Sequence, residues 1–385
     1  MTTPIPPAPA RDKLLFTPGP LTTSLSVKQA MLHDAGSWHF EFSQLIRTLR
    51  EQILALAELP AGGGWETVLM QGSGTFGVES VIGSVIPPAG KLLVLINGAY
   101  GERIAQMAGA LKIPHVALRF PEHEPPSIPA VSQALAADPS IRHVAAVHCE
   151  TTTGILNPLA GIGREVKRHG CVFIVDAISS FGAIPIDLES AGIDFLVSSA
   201  NKCLEGVPGF SFIIARRERL LETEGWARSL SLDLLGQWQG FQKNGQFRYT
   251  PPTHSLLAFA QALAELNQEG GIPARGERYR ANHSLLLNGM RAMGFHPFLS
   301  PEWQSFIITA FHFPAQPAFR FPEFYRLLSE AGLIIYPGKL TQVDTFRIGT
   351  IGRLFPADIR QLLMAIRETL GELGCPAPVL SPAAL

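Results

Sequence analysis

Lys202 is a solitary amine between an apolar run, DFLVSS (194–199), and a loop of glycine and proline, LEGVPGF (204–210). A lysine in such a loop is ordinarily a surface residue. It becomes a usable nucleophile and proton carrier when desolvation or nearby positive charge lowers its pKa. The segments upstream bear on which reading holds. Asp176 ends VFIVD (172–176), an otherwise apolar strand. A carboxylate there is costly to bury without a cation or strong donor, although it could equally cap the next helix. QGSGTFGVES (71–80) follows the apolar run TVLM. Its Gly72 and Gly74 permit a tight turn, so that Ser73, Gly74 and Thr75 offer N–H groups and hydroxyls at a helix start, a cradle suited to phosphate. The lysine of a nucleoside-triphosphate loop is missing from it. NGAYGER (97–103) puts Tyr100 on a loop where a flat ligand could stack, and HCETTTG (148–154) supplies three threonine hydroxyls that either meet a polar ligand or cap a turn.

A phosphate cradle, a stacking aromatic, an acid for a ring nitrogen and an amine for an aldehyde together describe a pyridoxal phosphate site. Each member alone is weak; their joint occurrence in this order is the signal.

These residues need a scaffold that brings them to one edge. Between about residues 67 and 215, the runs TVLM, KLLVLI, HVALRF, HVAAVH, VFIVDA, DFLVSS and FSFIIA alternate with amphipathic stretches. That pattern predicts an α/β domain with a mostly parallel seven-stranded sheet covered by helices on both faces. Ligands in such sheets bind beyond the carboxyl ends of the strands, where all five segments lie. HSLLAFAQALAELNQEGG reads as a helix stopped by its glycine pair, RYRANHSLLLNGMRAMGF as another. SFIITAFHF, GLIIYPG and TFRIGTIG read as strands before a last helix, PADIRQLLMAIRETLGEL, which makes a smaller α+β domain. The expected division is an N-terminal tail and arm over 1–22, a large domain over 23–268 and a small domain over 269–385.

The 385 residues are 46% hydrophobic and 16% charged, which suits a large core and a buried subunit interface and excludes disorder. A net charge of -1 gives no general attraction to nucleic acid or to an anionic membrane. Cys149, Cys171, Cys203 and Cys375 lack metal-site spacing, so neither a metal centre nor a disulfide framework is expected. The start, MTTPIPPAPARDK, has no secretory pattern and no run is long enough to span a bilayer, so a cytoplasmic protein is expected.

TPGP, QGSGTFGVES, NGAYGER, HCETTTGILNP, VDAISSFG, SSANKCLEGVPGF and FRIGTIG together resemble the class V, fold-type-I pyridoxal phosphate aminotransferases over about residues 12 to 370. ARSLSLDLLGQW and TPPTHSLLAFAQAL resemble the branch that acts on 2-aminoethylphosphonate and pyruvate. The resemblance implies that Lys202 carries the cofactor and shuttles a proton, that Asp176 pairs with the ring nitrogen and that Tyr100 stacks on the ring. It further implies that Ser73, Gly74 and Thr75 hold the phosphate, helped by Thr250 from the other subunit of a homodimer. Thr151 and Thr153 are assigned to the ring's polar edge, without a choice among the adjacent threonines. Arg347 is assigned to the substrate's anionic group, with Thr22 and Trp38 on the substrate side and the SLSLDL segment directed to the phosphonate. Thr350 stands where the family pattern leads one to expect asparagine, which leaves specificity more open than chemistry. Competing readings keep the fold: an alanine– or serine–glyoxylate aminotransferase, a lyase of a related aminophosphonate, or a scaffold without cofactor.

Overall fold

The computed structural model describes residues 12–60, 62–340 and 343–380. Most of the proline-rich tail, residues 1–11, lies outside them. Seven strands form the central sheet: β1 (Trp65–Gln71), β2 (Lys91–Ile96), β3 (His115–Arg119), β4 (Ile141–Val147), β5 (Val172–Asp176), β6 (Phe195–Ser199) and β7 (Phe210–Arg216). Their order is β1-β7-β6-β5-β4-β2-β3. Only β7 runs against its neighbours, pairing antiparallel with both β1 and β6. The carboxyl ends of the other six therefore share one edge with the start of β7.

The near-continuous apolar runs explain the sheet's interior, because side chains on both faces of its central strands are excluded from water. Phe173, Val175, Leu196, Val197, Phe212, Ile213 and Ile214 are all fully buried. A truncation such as Phe173→Ala would cost about 3–5 kcal/mol. HVALRF becomes the edge strand β3 and is only half-buried, so its apolar run covers one face rather than two.

Five helices matter for the site: α1 (Gly74–Val85), α2 (Ala99–Ala110), α3 (Thr253–Glu269), α4 (Gly271–Ala292) and α5 (Pro356–Glu372). The predicted stop between α3 and α4 is present, with Gly270 in the left-handed region at φ 107°. A second apolar cluster gathers Leu286, Met290, Phe311, Phe346, Ile348, Ile359 and Leu362, together with Phe16 from the N-terminal arm. The arm is tied there because Leu14 and Leu15 pair in parallel with Leu333 and Ile334. Next to this cluster, β8 (Ile308–His312), β9 (Tyr336–Pro337) and β10 (Thr345–Gly349) form an antiparallel sheet with β10 in the middle. GLIIYPG thus contributes two short strands broken at Ile335. Among the described residues, no helix is long and apolar enough to cross a membrane.

Candidate active site

Beyond the carboxyl ends of β1, β2, β5 and β6 lies a cavity of about 370 Å³. Ser73, Gly74, Thr75, Tyr100, Asp176 and Lys202 all line it, so four of the five predicted segments, separated by up to 129 residues in sequence, meet there. Thr151, Thr153, Thr250, Arg347, Thr22 and Trp38 are not among its lining residues.

The cradle forms where β1 turns into α1. Ser73 takes the N-cap position, yet its hydroxyl makes no capping bond. The N–H groups of Gly74 and Thr75 have no acceptor among the described residues, whereas those of Phe76 and Gly77 bond the Ser73 carbonyl. These free donors and the positive end of a 12-residue helix suit a phosphate. Arg103 adds a cation, its Nη1 donating to Thr75 Oγ1 at 3.2 Å.

Tyr100 sits in the first turn of α2 rather than on a loop, for a reason written in HCETTTG. Glu150, fully buried, reaches across from the segment after β4. Its Oε2 accepts from the N–H groups of Tyr100 (3.0 Å) and Gly101 (3.3 Å), and its Oε1 accepts from the Thr152 N–H and hydroxyl. The carboxylate thereby caps a helix that has no capping side chain of its own. Gly98 is required because a Cβ there would come within 2.3 Å of Glu150 Cγ. The Arg103 guanidinium lies 4.9 Å from the Tyr100 ring centroid.

Asp176 is buried at the end of β5, and its Oδ1 accepts from the Ile178 N–H at 2.9 Å. Burial, reinforced by the nearby Glu150 charge, raises its pKa from 3.8 to about 7. No side-chain cation lies within ion-pair distance of it among the described residues. His148 is buried and bonded through Nδ1 to Ser180 Oγ at 2.8 Å, and burial lowers its pKa to about 4.

Lys202 Nζ donates to the carbonyls of Pro18 (2.8 Å) and Gly19 (3.4 Å) and has no carboxylate partner among the described residues. Desolvation lowers its pKa from 10.5 to about 8; Arg347 and Lys339 act in the same direction, while Asp176 opposes them. The TPGP motif supplies the lid over this amine. Gly19 has φ 118°, and a Cβ on it would meet Nζ at 2.6 Å. Next door, Cys203 is fully buried with Sγ directed to the Ser179 carbonyl at 3.3 Å, and burial raises its thiol pKa well above the ordinary range. It is packing, as expected for an inert thiol.

The loop after Lys202 rests on a buried charge network. Glu205, in the left-handed region at φ 58°, accepts from Arg278 Nη2 at 2.7 Å and from the Tyr279 hydroxyl at 2.5 Å. Arg275, fully buried, donates to the Cys203 carbonyl at 2.7 Å and to Glu269 at 2.6 Å. From the same helix α4, Arg278 Nη1 donates to the carbonyls of Gly352 (2.7 Å) and Leu354 (3.0 Å).

The remaining sequence-predicted residues are placed as follows. Arg347 is buried on β10, with Nη1 donating to the Thr151 carbonyl at 2.7 Å and Nε to the Pro337 carbonyl at 3.0 Å; among the described residues it has no salt-bridge partner. The Thr152 hydroxyl also accepts from the Ala99 N–H at 3.0 Å, the Thr153 hydroxyl accepts from the Ile155 N–H at 3.2 Å, and all three threonines are buried. Thr22 Oγ1 accepts from the Leu15 N–H at 2.8 Å. Trp38 is 80% exposed. Thr250 is exposed, its carbonyl accepting from Gln71 Nε2 at the end of β1 at 2.7 Å. The SLSLDL segment packs against α1 through the bond from Ser80 Oγ to the Leu232 carbonyl, at 2.7 Å, and lines none of the cavity.

The aminotransferase class-V family model matches residues 26–342. A 2-aminoethylphosphonate–pyruvate transaminase of Salmonella typhimurium is 51% identical over 363 residues, covering 94% of this chain and 98% of that protein. The protein of the same name from Syntrophobacter fumaroxidans is 50% identical over 367 residues, covering 95% and 98%. Among solved structures, pyridoxamine–pyruvate aminotransferase from Mesorhizobium loti superposes with a TM-score of 0.86 at 23% identity, over 95% of this chain and 94% of that one. Alanine–glyoxylate aminotransferase from Nostoc sp. gives 0.85 at 25% identity, over 96% and 98%.

Proposed function

This chain belongs to the class-V aminotransferases, and from that premise we propose that it moves the amino group of 2-aminoethylphosphonate to pyruvate, giving phosphonoacetaldehyde and L-alanine, with pyridoxal 5′-phosphate as cofactor. The observation that carries this reading is the convergence on one cavity of an amine without a carboxylate, a buried acid without a cation and a helix start with free N–H groups. Each is an unmet requirement that the same group answers. When bound, pyridoxal phosphate supplies an aldehyde that receives the amino group and a ring that withdraws electrons from the neighbouring carbon.

The chain's own residues do the positioning and the proton transfer. Lys202, with its pKa drawn down to about 8, is a free amine in roughly one molecule in ten at pH 7, far more than an ordinary lysine, and moves the proton at Nζ. Asp176 holds a proton between its carboxylate and the ring nitrogen. Ser73, Gly74, Thr75 and Arg103 hold the phosphate, and Tyr100 covers the ring. Thr151 and Thr153 meet the ring's polar edge, Arg347 takes the substrate anion, and Thr22 and Trp38 border the substrate side.

The working unit in this reading is a homodimer in which Thr250 of each subunit completes the other's phosphate site. Large apolar side chains left exposed on this chain favour it, Trp38, Phe40, Phe76 and Tyr249 among them. Four free, buried cysteines favour a reducing, cytoplasmic setting. The test is an amino-donor panel on purified enzyme, comparing 2-aminoethylphosphonate, alanine and serine against pyruvate and glyoxylate. The highest kcat/KM is expected for 2-aminoethylphosphonate with pyruvate; a preference for serine with glyoxylate would refute the proposal.

A further inference from the structure

We propose that Lys339 is a specificity-determining residue, the second cation of the substrate pocket, which reads the second negative charge of a phosphonate. The inference rests on the reading above and deepens it. Lys339 follows β9, and its Nζ lies 5.5 Å from the Tyr100 ring centroid. Arg347 on β10 and Lys202 after β6 approach the same region, and both Lys339 and Arg347 act electrostatically on Lys202. Three cations from three separate segments thus gather with no carboxylate in ion-pair contact with any of them among the described residues. Like charges concentrated beside a cavity repel one another, and an anionic ligand relieves that repulsion.

The donor geometry indicates how much anion the pocket takes. Two sides of the Arg347 guanidinium are occupied by the carbonyls of Thr151 and Pro337, which leaves Nη2 as its uncommitted nitrogen. One such edge suits a carboxylate, with a single charge. A phosphonate brings a third oxygen and, once its second proton is lost, a second charge, and neighbouring cations favour that loss. Lys339 is exposed and holds a compact charge on a flexible stem, so it can reach that third oxygen without a fixed fork. Arg103, the other cation over Tyr100, is turned to Thr75 and the phosphate cradle instead.

The test uses two unreactive probes of matched length, ethylphosphonate and propionate, titrated into the cofactor-loaded enzyme and followed by cofactor absorbance. Wild type is expected to prefer ethylphosphonate. Lys339→Met should weaken ethylphosphonate about 10- to 100-fold, the loss of one charge-assisted contact, while leaving propionate nearly unchanged. Lys339→Arg should restore most of the lost affinity. Equal weakening of both probes, no weakening of ethylphosphonate, or a wild type without preference overturns the proposal. Because neither probe carries an amine, these outcomes are independent of the donor panel, whose failure would strike the transaminase reading instead.

Discussion

Asp176 offers a prediction in which function and stability oppose each other. Its carboxyl is buried with a pKa near 7 against 3.8 for an unhindered aspartate, because charging it in the cavity wall is unfavourable. In the cofactor-free protein, the folded state therefore holds a proton that the unfolded chain has released across most of the range from pH 4 to 7. Stability then falls as pH rises through that window and levels off above it. A rise of that size corresponds to about 4 kcal/mol at pH 8, of which about 2 kcal/mol is already present at pH 5. Asp176→Asn removes the ionisation and keeps an oxygen for the Ile178 N–H. Cofactor-free Asp176→Asn should thus be more stable than cofactor-free wild type at pH 8, with the gap narrowing by about 2 kcal/mol at pH 5. Urea denaturation of both proteins at matched concentration reads the difference, in which all other titrating groups cancel. With pyridoxal phosphate present the order should reverse, since the wild-type carboxylate then has its cation. A variant no more stable than wild type at pH 8, or a gap independent of pH, would refute the assignment of the raised pKa to an unpartnered buried acid.

Gly19→Ala pushes a methyl group onto the Lys202 amine and strains a positive φ, so it should cost about 1–3 kcal/mol of stability and a large part of kcat; thermal melts and steady-state rates check both, and an unchanged kcat would count against the close approach. Glu150→Ala strands the Tyr100 and Gly101 N–H groups and should destabilise the protein by about 1–3 kcal/mol, with Glu150→Gln recovering part of it in the same denaturation assay; equal stability in all three proteins would contradict the capping role. Hybrid dimers of Lys202→Ala with Thr250→Ala subunits should contain one site with wild-type cofactor affinity, whereas a Thr250 that serves its own subunit would leave none.

The apolar runs made the seven strands readable, and the residues just past them made the cavity readable, because both signals are local. Direction was less so: nothing in FSFIIA distinguishes β7 from its parallel neighbours, since its reversal depends on the short loop from Lys202 to Gly209. Glu150 lay in plain view within HCETTTG, yet its significance comes from the bare first turn of α2, some fifty residues earlier in the chain. Gly98, next to that turn, was the only hint, as a glycine with no turn of its own to explain it. Arg103 and the Glu205–Arg275–Arg278 network escaped for the same reason, that a charged residue in sequence does not announce its partner. Lys202, Asp176 and the cradle were legible because each is anomalous where it stands.

The charge network on α4 has a further consequence. Arg275 holds the loop that carries Lys202, and three residues later Arg278 holds the carbonyls just beyond β10, the strand that carries Arg347. Amine and guanidinium are thus moored to a single turn of one helix, so their separation does not depend on a hinge. If Lys202 and Arg347 hold the two ends of a donor as proposed, such a mooring makes the pocket a ruler for the span from reacting carbon to anionic end, and a donor one methylene longer is expected to have a lower kcat/KM.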